Sequence, residues 1–386
     1  MLAAGLSLGS RTLERPSDDG SVLTATLDGA ARAWVDGGGL VTAAGASWAL
    51  DWWIGADDRW YLPAREPSVR QGRLGVGPVV ETTVRIPSGD ARQTVYGALV
   101  GRWPATVVEI HNDSPVPVAL ALAIRPFPVG PHASDSPVAE NSAAEPGLRS
   151  VNLDDTLIRL DGGRVVSLPR PPAQSGGSAT HDVLDDLLAG RELAWSQAGD
   201  LERLDGSMAN GAVLYPLPHR TSLRFLIVET DAGAGAGSEA EIGDRSLIPS
   251  PAEAPEPATV AAGWASVVDA ESGFGFPDPG MTRAVAGARA RLLLAAPALP
   301  GELVELDPGA GNQLAALAIG GQRREIEQAL AALAGSFPRR LASNDDGAGA
   351  AKIVAAVAMA AELGDIVAEP ALLEWAVQVV HLIERS

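Results

Sequence analysis

The tryptophans and carboxylates of this chain gather in one stretch. Trp48-Ala49-Leu50-Asp51-Trp52-Trp53-Ile54-Gly55-Ala56-Asp57-Asp58-Arg59-Trp60-Tyr61 carries four of the nine tryptophans, with Trp34 shortly upstream. Such a set suits polyol recognition: an indole face stacks on a sugar ring while a carboxylate accepts from its hydroxyls. In an extended strand Trp48, Leu50, Trp52 and Ile54 share one face, and Asp51 and Trp53 share the other. The first face reads as core. Asp51 and Trp53 are substrate-contact candidates, although a second packed interface would place Trp53 the same way. Asp57-Asp58-Arg59 reads as a turn with a local ion pair, and Asp57 and Arg59 complete the substrate-contact set.

A second group, Ser343-Asn344-Asp345-Asp346-Gly347, precedes an apolar helical stretch. Asp345 and Asp346 are the catalytic candidates, as carboxylates at the mouth of a helical domain. Helix capping explains the same residues, because an aspartate there accepts from the free N–H groups of the first turn.

The elements that must position these groups follow from periodicity. From Ser21 to about Arg125 the pattern has period two. Val116, Val118, Leu120, Leu122 and Ile124 line one face of a strand. Thr106–Ile110 precedes it across Asn112-Asp113-Ser114-Pro115, and the pair reads as a hairpin. Gly77–Ile86 and Ala91–Leu99 read as another. Strand signals return at Thr156–Leu160, Arg164–Leu168, Ala212–Leu217 and Ser222–Glu229. Phe127–Gly147 and Pro169–Thr180 read as loops, and Asp182–Leu188 as a short helix. Asp231–Ala262 is a linker by composition. Beyond Gly263 the period becomes 3.6, predicting helices over Met281–Ala295, Asn312–Ile319, Arg323–Leu333, Gly347–Leu363 and Pro370–Glu384. Asp278 or Thr282 would cap the first of these. Phe274–Pro279 is a rigid loop expected to dock the helices on the sandwich.

Composition bounds the function. The chain has 386 residues, a net charge of −19 and no cysteine. The acidity argues against nucleic acid, which needs a basic face. Thiolate metal sites and disulfides are excluded, and five scattered histidines give no ligand spacing. P-loop, dinucleotide, Gly-x-Ser-x-Gly and His-Glu-x-x-His patterns are absent. No cofactor or metal is expected. Met1–Ser10 lacks a signal-peptide pattern and no stretch suits a membrane span, so the expected location is cytoplasmic.

With these residues in view, the chain resembles the six-hairpin glycosidase family, the glucoamylase-like and glycogen-debranching-like proteins of actinobacterial type. Three features carry the resemblance. One is the order of large sandwich, linker and helical hairpins. Another is Glu109-Ile110-His111-Asn112-Asp113-Ser114-Pro115 leading to Arg125-Pro126. The third is Asn344-Asp345-Asp346-Gly347 before an Ala-rich helix, with Leu363-Gly364-Asp365 after it. The expected fold is α+β multidomain: an antiparallel β-sandwich over 1–230, a linker over 231–262, and a partial α/α toroid of hairpins over 263–386.

The resemblance implies an inverting glycosidase of α-glucan-type carbohydrate metabolism. Its two carboxylates would lie on toroid loops roughly 6.5–9.5 Å apart. Asp345 or Asp346 supplies one of them, and no residue is placed as the second. The helices read here are too few to close a ring, so the chain reads as stopping within its toroid. The apolar surface of an open stack calls for a partner chain or a second copy. Catalytic incompleteness leaves two alternatives: a non-catalytic carbohydrate-binding or regulatory protein, and a structural or interaction protein using its open helical stack.

Overall fold

The computed structural model describes residues 21–57, 59–126, 148, 150–160, 164–195, 200–202, 209–229, 247–269, 277–296, 308–319 and 322–336. It divides into two compact units, the first holding 1–26 and 30–261 and the second 27–29 and 262–386.

The first unit is an antiparallel β-sandwich. One sheet has eight strands. Along it run β1 (Val22–Thr24), β2 (Ala33–Val35), β3 (Val41–Ala43), β4 (Trp48–Ala56), β10 (Val118–Pro126), β16 (Asn210–Leu217) and β14 (Gln174–Ser178), with β5 (Arg59–Tyr61) paired to β4. The other sheet has nine. In spatial order these are β15 (Asp200–Glu202), β11 (Ser150–Asp154), β12 (Leu157–Leu160), β13 (Arg164–Ser167), β17 (Ser222–Glu229), β9 (Trp103–Asn112), β8 (Gly89–Val100), β7 (Val80–Ile86) and β6 (Arg70–Arg73).

Period-two patterning builds the core between the sheets. Trp48, Leu50, Trp52 and Ile54 of β4 join Leu120, Leu122 and Ile124 of β10 on one side. Val84, Val95, Val108, Phe225 and Ile227 face them from the other. Tyr215 and Phe225 meet across the gap with ring centroids 5.6 Å apart.

The structure corrects the sequence expectation at the turn after β9. The strands before and after Asn112–Pro115 do not pair as a hairpin. β9 lies in the nine-stranded sheet between β8 and β17, whereas β10 lies in the eight-stranded sheet between β4 and β16. The turn is a corner that carries the chain from one sheet to the other. Asn112, fully buried, holds it: its Nδ2 donates to the carbonyls of Val116 (2.7 Å), Leu217 and Pro218 (both 3.2 Å), and its Oδ1 accepts from Ser114 N–H at 3.0 Å. The β7–β8 hairpin is as the sequence indicates. Part of the stretch read as a loop over 169–180 is the strand β14, which pairs with β16.

The outer face of the nine-stranded sheet is also covered. Val79, Tyr96, Val100, Trp103, Val107, Leu226 and Val228 pack with Ala254 and Ala261. Tyr96 Oη donates to Pro255 O at 2.6 Å, Trp103 Nε1 to Leu247 O at 2.7 Å, and Arg224 pairs with Glu109 and Glu256. The proline-rich stretch around 247–261 is therefore docked rather than free. It forms a 3-10 turn at Pro251–Glu253 closed by a capping box from Ser250. It then enters a helix, Pro257–Asp269, with proline at the first-turn position where the missing N–H costs nothing.

Among the described residues, the elements of the second unit are helices. Pro279–Ala295 is capped by Asp278, whose carboxylate accepts from Gly280 N–H at 2.8 Å. Arg289, buried, donates to Val268 O at 2.7 Å. Pro308–Ile319 buries Ala310, Leu314 and Leu317, and Arg323–Ser336 buries Ile326, Ala329 and Leu330; these are single helical stripes. The expected helices over 347–363 and 370–384 lie outside the described residues, as does the 127–147 loop. Among the described residues no helix is long and apolar enough to cross a membrane.

Candidate functional site

Strand parity sends Asp51 and Trp53 to the outer face of the eight-stranded sheet, away from the core. That face is shaped by small residues. Ala121 lies beside Trp53 in register, and Ala123 pairs with Ala212 of β16. These alanines leave a trough, filled by Trp53, by Val183, Leu184 and Leu187 of helix α1 (Val183–Leu188), and by Leu193. Trp53 is 1% exposed and Asp51 3%. Neither offers a face to a ligand while α1 is in place.

At one end of the trough sits a fully buried guanidinium. Arg125 reaches Asp51 at 3.4 Å on one side and bonds Asp182 on the other. It stands 5.8 Å from the Trp53 ring centroid. Asp51 and Arg125 are diagonal neighbours on antiparallel strands, since Asp51 pairs with Ala123 and Arg125 with Ala49. Asp51 also accepts from Trp52 N–H at 2.9 Å. Burial pushes the Asp51 carboxyl above the usual range, with Arg125, the Trp52 amide and the Trp53 side chain opposing it. Asp182 also caps α1, because its other oxygen accepts from Leu184 N–H at 3.0 Å. Asn210 supports the same end, accepting from Val183 N–H at 2.9 Å and donating to Ser178 O and His181 O, both at 2.8 Å.

The entry to α1 also lines up a hydroxyl, an imidazole and a carboxylate. Ser178 Oγ lies 2.8 Å from His181 Nδ1, and His181 Nε2 lies 2.8 Å from Asp186. The order resembles a hydrolytic relay, but the geometry does not support nucleophilic attack. Ser178 is 1% exposed, and its oxygen accepts from the N–H groups of Thr180 (3.1 Å) and His181 (3.2 Å). The line splints a turn. Burial acts against the Asp186 charge, but hydrogen bonds from His181 and Arg191 outweigh it and hold the carboxyl below its ordinary value.

Asp57 and Arg59 lie at the β4–β5 turn and are exposed. Asp57 takes a left-handed conformation with φ of 54°. Arg59 takes Glu66 as its carboxylate, at 2.6 and 3.3 Å, and stacks 3.7 Å above the Tyr61 ring. The structure thus brings Asp51 and Trp53 together and leaves Asp57 and Arg59 apart from them. Asp345 and Asp346 lie outside the described residues. Among the described residues no three His, Asp or Glu side chains gather as a metal site. Sequence reasoning missed Asp182 and Asn210 as partners of this cluster. Asp182 carried the signal of an acidic residue ahead of a short apolar helix, whereas Asn210 carried none.

No family profile matches the chain, and no curated protein matches it. Among solved structures the chain is similar to a bacterial glucoamylase crystallised with acarbose, with a TM-score of 0.49 and 8% sequence identity. The match covers 94% of this chain, which spans 66% of that one.

Proposed function

We propose that the chain is a glycosidase-like protein of carbohydrate metabolism, of the α-glucan-acting, inverting type. One observation carries the reading: a two-sheet antiparallel sandwich of eight and nine strands is followed in the same chain by a second unit whose elements, among the described residues, are helices. The Arg125-Pro126 element of the resemblance adds to it, because that arginine holds the outer face of the sandwich together. In this proposal the helices belong to an α/α toroid, Asp345 or Asp346 is one catalytic carboxylate, and Asp57 and Arg59 contact substrate at an exposed turn. Asp51 and Trp53 join them only if α1 moves aside.

The test is hydrolysis of a panel of α-glucans by the full chain, with calorimetry against malto-oligosaccharides in parallel. Loss of a catalytic carboxylate costs roughly 10²–10⁴-fold, so Asp345→Asn or Asp346→Asn is expected to lower turnover by that much. Binding heat without turnover selects the non-catalytic carbohydrate-binding alternative. Neither turnover nor binding, from this chain or a longer native form, sinks the proposal. A second reading, a structural or interaction protein, is favoured by the way Asp51, Trp53, Arg125 and Asp182 satisfy one another. It predicts a defined oligomer by light scattering and no glycan binding.

A further inference from the structure

Asp36 begins the turn Asp36–Leu40 between β2 and β3. Its carboxylate accepts from the N–H groups of Gly38 and Leu40, both at 2.8 Å. Its carbonyl accepts from Gly39 N–H at 2.9 Å and from Gln71 Nε2 of β6. The tip of the turn presses into the sandwich. Trp52 Nε1 donates to Gly38 O at 3.1 Å. Gly39 has a φ of 87°, and a Cβ there would stand 2.3 Å from Gln93 Oε1 and 2.6 Å from Trp52 Nε1.

Beneath the turn lies a polar row inside an otherwise apolar core. Gln71, Thr82 and Gln93 are cross-strand neighbours on β6, β7 and β8. Gln71 Nε2 also donates to Thr82 Oγ1 at 3.1 Å. Gln93 is 0% exposed, and neither its amide oxygen nor its nitrogen has a hydrogen-bond partner. An unsatisfied buried amide is costly, so hydrating it offsets part of the cost of lifting the turn.

We propose that this turn is a proton-controlled latch: with Asp36 neutral it stays seated on Trp52 and Gln93, and with Asp36 ionised it lifts and admits water to both. The carboxylate and the Gln93 amide both gain hydration on lifting. Burial first, and then the charge of Asp51, push the Asp36 carboxyl up to about 6, against the opposing amides of Leu40, Gly38 and Gly39. Asp51 on β4 is the charged group that acts most strongly on Asp36, and Asp51 is itself paired with Arg125. Gln71, Thr82 and Gln93 face the turn from β6, β7 and β8 without charge, Arg73 lies two residues beyond Gln71 on the same face of β6, and the Pro63–Arg65 turn, which ends in Arg65, packs against Gly38 through Ala64.

The sign follows from linkage. The closed turn binds the Asp36 proton more tightly than the open turn, whose carboxyl has its ordinary value of 3.8. The closed form therefore has its full advantage below pH 3.8 and loses it as pH rises through about 6. A difference of about two pH units is roughly a hundredfold in the opening equilibrium.

The test is amide exchange of the segment 36–41 in the full-length protein, corrected for the intrinsic rate at each pH. It is compared with Asp36→Asn, whose side-chain oxygen still accepts from Gly38 and Leu40. Opening in the wild type is expected to rise about a hundredfold from acid to neutral pH, with its midpoint near 6, while the variant stays flat. Wild-type exchange that follows only the intrinsic rate, or a variant as steep as the wild type, overturns the proposal. Should Asp36→Asn fail to fold, the Trp52 indole N–H resonance, assigned by Trp52→Phe, reads the same event in the wild type. It titrates with the same midpoint if the latch exists, and the absence of that midpoint overturns it.

Discussion

At the scale of residues, Arg125 decides the outer face of the eight-stranded sheet. It is fully buried between two carboxylates, and its removal leaves Asp51 enclosed without a counter-charge. Breaking a buried pair from one side costs about 3–5 kcal/mol. Arg125→Met is expected to lower stability by that amount in urea denaturation, and Arg125→Met with Asp51→Leu to recover most of it. Gly39 is a second decisive residue. Its positive φ alone makes Ala costlier by about 1 kcal/mol, and the contact with Gln93 and Trp52 adds to that. Gly39→Ala should therefore destabilise more than Gly37→Ala, whose Cβ would meet nothing within 4 Å; thermal denaturation of the two variants checks it.

Among the elements, α1 is short, and a helix of six residues does not hold itself together in water. Its stability comes from the trough and from its polar entry. Leu184→Ala should cost about 2–5 kcal/mol, the range for a buried leucine, and hydrogen exchange of Val183–Leu188 should rise before the rest of the sheet. Asp186 gives the same element a pH dependence of opposite sign to that of Asp36. Its folded carboxyl is held low, so its contribution is complete above the ordinary value of 3.8 and is lost as pH falls through the lower folded value. The difference in urea midpoint between wild type and Asp186→Asn should shrink on acidification; a difference that stays constant would contradict this.

For the whole molecule, the topology turns on the corner after β9. Asn112, the last residue of β9 in the nine-stranded sheet, donates to three carbonyls at the ends of β10 and β16 in the eight-stranded sheet. Asn112→Asp keeps the shape but replaces a donor by a charged acceptor facing those carbonyls. It is expected to destabilise the sandwich more than Asn112→Ala, which leaves the carbonyls unbonded at about 1–3 kcal/mol. Equilibrium unfolding followed by near-ultraviolet dichroism, which reports the packed tryptophans of β4, distinguishes the two.

Much of the sandwich was legible in the sequence, because a strand with one buried face must alternate. The parity of β4 by itself assigned Trp48 and Trp52 to the core and put Asp51 and Trp53 on the other side. The Asp278 cap and the stripes of Arg323–Ser336 were legible for the same local reason. β14 was hidden because Gln174-Ser-Gly-Gly-Ser has no strand-forming side chains and is held by its neighbour β16. The helix from Pro257 was hidden in a composition that averages to a linker. A turn between two alternating strands looks identical whether it closes a hairpin or carries the chain between sheets, so only the tertiary structure could put β9 and β10 in different layers. Tertiary structure also decided that the far side of β4 is covered: parity says which way Trp53 points, and the residues that cover it lie some 130 positions further along the chain.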